Sequence, residues 1–212
     1  MENYIYKIFS SRLMKEKIIE ASLQQFLIHG IREMTMQKLV LPLGISTKTM
    51  YKYFANKEEL LEECLKVHYK EMDKGLLAVI EGSPNAVVSL CSVYSKSMEM
   101  DFGTNHLFFH DLNYYYPELQ DKVIKLYSHK AGEILTAIIA KGITDGDFQA
   151  HLNPLLVLTA LAVLYTSVTR NEVFKDFNAE PAELIKHTID IYLRGICTNK
   201  GLQIFDKHKG LI

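Results

Sequence analysis

Tryptophan is absent from this 212-residue chain, proline occurs only five times, and the three cysteines, Cys64, Cys91 and Cys197, lie far apart with no CxxC pair. That cysteine pattern excludes a disulfide scaffold and a paired-thiol metal or redox motif, and it predicts reduced thiols in a cytoplasmic protein. Alternating strand patterns are nearly missing, which predicts an all-α protein. The chain also lacks a glycine-rich phosphate loop, a nucleophile elbow and a convincing pair of catalytic carboxylates. The expectation is therefore a non-enzyme, with no catalytic residue, no metal and no cofactor. No basic segment followed by an apolar one opens the sequence. The most apolar run, "PLLVLTALAVLYTSVT" from Pro154 to Thr169, is shorter than the roughly 20 residues that a spanning helix needs, so no membrane segment is expected.

Hydrophobic residues make up 48% of the chain, enough for a sizeable core, and the formal net charge is only −1. The charge is unevenly placed. Residues 1–57 carry nine lysines and arginines against four glutamates, a net +5, while the remainder carries 15 against 21, a net −6. One end is suited to a polyanion and the rest is not. Glycine and proline divide the chain into helices near 11–29, 35–43, 47–54 and 57–80, then 84–100, 103–115, 117–141, 154–172 and 180–198.

Two of the early helices are short and share one grammar. In "GISTKTMYKYFANKEEL", Ser46 is placed to cap a helix beginning at Thr47, with Ile45 and Met50 spaced as a hydrophobic staple. In "MTMQKL", Thr35 is the cap and Met34 and Leu39 are the staple. Asn56 caps the following helix, with Glu58 and Glu59 in its first turn. Two short capped helices joined through Gly44 and Ile45, the second polar on its outer side, form a helix-turn-helix. Residues 18–61, with their Ala21/Phe26/Gly30 framework, the Gly44-Ile45-Ser46 turn, the Tyr51-x-Tyr53-Phe54 run and Lys57-Glu58, resemble the N-terminal domain of the TetR family of transcriptional regulators.

The resemblance implies a three-helix DNA-binding domain over residues 1–56. A long helix would join it to a helical ligand-binding and dimerisation bundle over 57–212. It implies a homodimer on a palindromic operator in double-stranded DNA, acting as a repressor released by a small-molecule effector. Thr47, Lys48 and Thr49 would read base edges, with Gln37 in a similar position, while Thr35, Tyr51, Lys52, Tyr53 and Lys57 would anchor the domain, largely on phosphates. Two positions depart from the family pattern. Pro42 predicts a short or distorted second helix, and Lys48, where the family often has a small residue, favours guanine N7 and O6.

Two other constellations stand out. His106 and His110 lie four residues apart with Asp111 adjacent, a spacing open to a metal, to a polar pocket lining or to ordinary packing. An alternative reading of the chain is a metal-dependent enzyme built on those three residues, and another is an adaptor that works by protein contacts without DNA. The middle of the chain is rich in aromatics, and His106, Phe109, His110, Asn113, Tyr127 and Tyr165 are the candidate ligand-binding residues. The helices near 154–172 and 180–198 carry apolar residues on more than one face, including Leu158, Leu161, Ala162, Tyr165, Val168, Ile185, Ile189 and Tyr192. With the resemblance, these imply a four-helix interface between two copies.

Overall fold

The computed structural model describes residues 2–102, 105–169, 172–174, 176, 177 and 179–208, with side chains described for all of these but 2–9, 102, 106, 128, 129, 172, 181 and 182. Regular structure among the described residues is helical, apart from one isolated bridge between Phe148 and Cys197. None of the described helices is long and apolar enough to cross a membrane. The chain divides into two compact units.

The first unit comprises Met1–Glu71 and Thr104–Lys125. Helix α1 (Glu2–His29) starts well before the predicted residue 11 and stops at Gly30, whose φ of 79° lets its N–H donate to the Phe26 carbonyl at 2.9 Å. Helix α2 (Met36–Leu39) is capped by Thr35, which accepts the Lys38 N–H at 3.2 Å. It ends three residues before Pro42, as that proline predicts, and turns carry the chain to Gly44, where φ is 62°. Helix α3 (Thr47–Met50) follows, capped by Ser46 at 3.0 Å from the Thr49 N–H. At the start of α4 (Lys57–Glu81), Asn56 accepts the Glu59 N–H at 2.8 Å while Glu59 reaches back to the Ala55 N–H at 2.6 Å. Phe26, Met50, Phe54, Leu60 and Leu65 form the buried centre of these helices.

Helix α6 (His106–Tyr115) packs against the end of α1 and belongs to this unit. The last carbonyls of a helix have no partner within it, and here Asn105 Nδ2 donates to the Ile28 carbonyl. Past the Gly30 turn, the buried Asp111 carboxylate accepts the Arg32 backbone N–H at 2.7 Å. The Arg32 guanidinium lies 4.5 Å from the centre of the Tyr115 ring and donates to its hydroxyl at 2.7 Å. The first part of α7 (Pro117–Thr144) joins the same unit through Gln120 to the Tyr69 hydroxyl at 3.2 Å and Lys122 to Glu62 at 2.7 Å. The expected division at 56/57 therefore falls inside a packed unit, because α6 and the start of α7 return to complete it.

The second unit comprises Met72–Gly103 and Leu126–Ile212. Its core draws on α5 (Ala86–Phe102), the rest of α7, α8 (Pro154–Thr169) and the C-terminal helices, with Leu90, Ile139, Leu161 and Ile189 among its buried residues. The helix expected near 180–198 is present as α9 (Pro181–Ile185), one π turn (Lys186–Asp190) and α10 (Ile191–Ile196). The Thr188 hydroxyl bonds back to the Leu184 carbonyl at 2.8 Å in that stretch. Residues 170 and 171, at the end of the helix expected near 154–172, lie outside the described residues. Helix α11 (Asn199–Lys207), which the sequence did not predict, docks on α5. Thr198 caps it while donating to the Gly146 carbonyl at 2.7 Å, and Lys200 meets the buried Asp147 carboxylate at 2.7 Å.

Candidate nucleic-acid interface

Helix α3 buries Met50 and presents its other side outward. Lys48, Tyr51 and Lys52 are exposed, and Thr47, Thr49 and Tyr53 are half-buried. Thr35 and Gln37 are exposed at the start of α2. The structure thus brings eight of the nine predicted DNA-contacting residues to the outside of two short helices and the turn after them. Their hydroxyls are not equally available. The Thr49 and Ser46 hydroxyls share a hydrogen bond at 2.9 Å, and Thr35 is engaged by the Lys38 amide, so both threonines serve α3 and α2 before they serve a ligand.

The ninth residue, Lys57, is half-buried. Burial holds its ammonium below the ordinary lysine range, with the Asp111 carboxylate opposing that effect and Arg32 reinforcing it. It therefore sits in the electrostatic field of the α6 clamp as well as at the start of α4. Sequence reasoning missed this clamp, because Arg32 and Asp111 are 79 residues apart and neither carries a local signature. It also missed Lys15, whose ammonium lies 5.3 Å from the centre of the Phe54 ring, directly after the Tyr51–Tyr53 turn.

The candidate ligand residues divide between the two units. Phe109, His110 and Asn113 lie in the first, while Tyr127 and Tyr165 lie in the second. His106 begins α6, and its side chain lies outside the described residues. His110 faces solvent, with its side chain 62% exposed and its ring stacked on Tyr114, so it lines no interior of its own unit. Phe109 packs edge-on against Phe108 and close to His68. Tyr165 donates to Asp101 at 2.6 Å and its ring lies 5.9 Å from that of Tyr94. Asp111 is committed to the Arg32 amide, and the described residues contain no group of three or more histidines, cysteines or acids able to hold a metal.

A surface groove of about 460 Å³ runs between the end of α1 and the turn after α2, lined by Gln25, His29, Met34, Lys38, Leu41 and Pro42 among others. None of the six candidate ligand residues lines it.

The apolar residues expected on more than one face of the helices near 154–172 and 180–198 divide between core and surface. Leu161, Ile185 and Ile189 are fully buried in the second unit's own core, with Leu158, Tyr165, Val168 and Tyr192 packed against it. The exposed apolar residues are instead Leu155, Leu156 and Val163 on α8, around the exposed Ala162, and Ile191 on α10. Every residue of α8 is uncharged, so inner and outer faces could not be told apart by polarity.

These features define a class: an all-α fold with an N-terminal helix-turn-helix. Residues 18–64 match the family model described as bacterial regulatory proteins, tetR family. The fold is similar to that of a transcriptional regulator from Cytophaga hutchinsonii, at TM-score 0.68 and 22% identity over 86% of this chain and 98% of that one. It is similar to the transcriptional regulator FadR from Bacillus subtilis, solved in complex with stearoyl-CoA, at TM-score 0.63 and 20% identity over 87% of this chain and 99% of that one. A ketosteroid transcriptional regulator from Mycobacterium tuberculosis matches at TM-score 0.57 and 17% identity over 88% and 96%. No curated protein sequence matches the chain. The chain thus carries an N-terminal helix-turn-helix segment that matches the tetR family model over residues 18–64, and its overall fold is similar to that of the solved transcriptional regulators.

Proposed function

We propose that the protein is a cytoplasmic homodimeric repressor that binds a palindromic operator and is released by an apolar small molecule. The observation that carries the DNA-binding part is the face made by Lys48, Tyr51 and Lys52, exposed on and just after a capped α3 that follows the α2 turn. Lys48 is at the second position of α3, where a side chain reaches base edges, and Tyr51, Lys52 and Tyr53 are suited to phosphates. Thr47 and Gln37 complete the reading set, with Thr49 acting partly through its hydrogen bond to Ser46.

The effector part draws on the aromatic residues of the middle helices and on the stearoyl-CoA held by FadR of Bacillus subtilis. Helices α4 and α7 each run through a unit boundary, so a change in either reaches the helix-turn-helix unit through continuous helix. An effector that binds one arrangement better than the other shifts the population and the spacing of two recognition helices, which successive major grooves fix at roughly 34 to 36 Å. The exposed α8 and α10 side chains supply the apolar surface for a second copy.

The test is binding of Lys48→Ala to the operator and to single-base variants of it. A loss of about 1 to 3 kcal/mol on the operator, smaller on variants at the contacted base pair, is the expected result. A uniform loss on every sequence would reduce Lys48 to a phosphate anchor. Sedimentation of Ala162→Glu should give monomer where the wild type gives dimer, and a wild type that is itself monomeric at micromolar concentration overturns the dimer. Thermal shift against a panel of apolar small molecules reports the effector through stabilisation of the folded state.

A further inference from the structure

Helix α1 extends upstream of the domain it serves. Among its described side chains the first buried one is Ile18, and the family match also begins at residue 18. Residues 10–17 are helical and bury none of their side chains, and Leu13 is 45% exposed. A helical stretch without packing is marginal on its own in water, and stability in proteins comes from covering one face.

The helical phase shows which face is left uncovered. At 3.6 residues per turn, Arg12 and Lys15 fall on the stripe that continues through Ile19, Leu23 and Phe26, all three buried. The stripe that packs the core from Ile19 onward thus becomes basic where α1 passes the edge of that core. The edge lies beside the recognition elements, because the Lys15 ammonium is 5.3 Å from the centre of the Phe54 ring. Arg12 lies about one turn further out, its side chain 79% exposed and paired with Glu16 at 3.0 Å. An exposed pair of this kind contributes little to stability and is readily exchanged for a stronger anion.

We propose that Arg12 and Lys15 form a second DNA-contacting surface, which holds backbone phosphates flanking the base pairs read by α3. The inference rests on the DNA-binding reading given above and adds a sequence-independent component to it. Charge selects this occupant: of two cations at one-turn spacing the inner one lies over Phe54, which directly follows Tyr51, Lys52 and Tyr53 in the chain, and phosphate is the anion that a duplex supplies beside them.

The test is fluorescence anisotropy with a duplex of arbitrary sequence, titrated across a range of salt concentrations. Removing two phosphate contacts in the Arg12→Ala/Lys15→Ala variant should weaken binding about tenfold and lower the slope of log affinity against log salt by about 1.8. Arg12→Ala alone, at a position that packs on nothing in the core, should lower the slope by about 0.9. Lys15→Arg should leave it unchanged, and this variant separates loss of charge from loss of packing on Phe54. Glu16→Gln should tighten binding, because it frees Arg12. Wild-type slopes in Arg12→Ala and the double variant, with Lys48→Ala still weakening binding, would overturn this inference and leave the DNA-binding reading standing. A wild type with no salt-dependent affinity for DNA would overturn both.

Discussion

Both units cap their helices locally, and the second adds remote ties at its last described helix. In the first unit the N-terminal caps are local: Thr35, Ser46 and Asn56 each take the amide three residues ahead. In the second, Asn85, Asn153 and Thr198 cap in the same way, and the start of α11 is held in addition by partners about 50 residues away, with Thr198 on the Gly146 and Asp147 carbonyls and Lys200 on the Asp145 carbonyl and the Asp147 carboxylate. Local caps form with their helix. Remote ones exist only once the unit has closed, so the second unit should lose its C-terminal helix as a block, while damage to a cap in the first should stay confined.

Gly201→Ala should break the second unit with the largest effect. A Cβ there would lie 2.1 Å from the Asp147 carbonyl oxygen and 3.1 Å from the Cys197 Cβ, and a backbone atom cannot step aside as a flexible side chain would. We expect a loss of about 3 kcal/mol and undocking of α11, measured by denaturant titration and by amide exchange over residues 199–207. Unchanged stability would mean that the Asp145–Phe148 turn is not a rigid partner.

The contrast also explains what the sequence could and could not reveal. The Ser46, Thr35 and Asn56 caps, the short α2 before Pro42 and the Gly30 stop were all legible, because the residues that decide them lie within five positions of one another. The outward side of Lys48 and Lys52 followed from helical phase. By contrast, the return of α6 to the first unit depends on Asp111 meeting an amide 79 residues away. The division of the aromatic candidates between units follows from that return, and so could not be foreseen. The outer face of α8 was hidden for another reason, since a helix without charge offers no polarity contrast.

His68 sharpens the comparison from inside the first unit as a buried titratable group. Its ring lies 5.6 Å from those of Tyr69 and Phe108, its buried Nε2 has no hydrogen-bond partner among the described residues, and burial pushes its pKa down to about 4. An unfolded chain takes up this proton near pH 6.5. The unfolded state therefore binds the proton more readily, so the stabilisation is fully present above about pH 6.5 and is lost as pH falls from there towards 4. His68→Leu should remove on the order of 2 kcal/mol from the stability difference between pH 7 and pH 4.5. Parallel pH profiles for the two proteins would show that another group sets the acid limb.

Asp111→Ala tests whether the first unit is purely local in its construction. The change strands the Arg32 amide beside a buried space and should cost about 1 to 2 kcal/mol. It also removes the carboxylate that favours the charged form of Lys57, so the lysine should titrate still lower. Asp111→Asn keeps an acceptor for the amide and should recover much of the stability but not the Lys57 titration. Equal stability of Asp111→Ala and wild type would mean that α6 follows the helix-turn-helix without holding it.

The smallest expected effects separate the two caps within the helix-turn-helix itself. Ser46 accepts the Thr49 amide and shares a hydroxyl hydrogen bond with Thr49, so Ser46→Ala removes both supports of a helix only four residues long. Thr35 takes the Lys38 amide at 3.2 Å, but Lys38 also ties the segment down by donating its ammonium to the Glu33 carbonyl at 2.8 Å. Ser46→Ala should therefore cost about 1 kcal/mol and Thr35→Ala about half as much, near the low end for cap deletions. Amide exchange at Thr49 should quicken in the first variant while Lys38 stays close to wild type, and Lys38 should quicken in the second while Thr49 stays close to wild type, because each amide loses its cap oxygen. Because the freed Thr49 hydroxyl becomes able to turn outward, Ser46→Ala should also alter base preference more than it alters affinity for DNA of arbitrary sequence. An equal loss on both kinds of DNA would mean that the cap holds the position of α3 as a whole and that the Thr49 hydroxyl reads nothing.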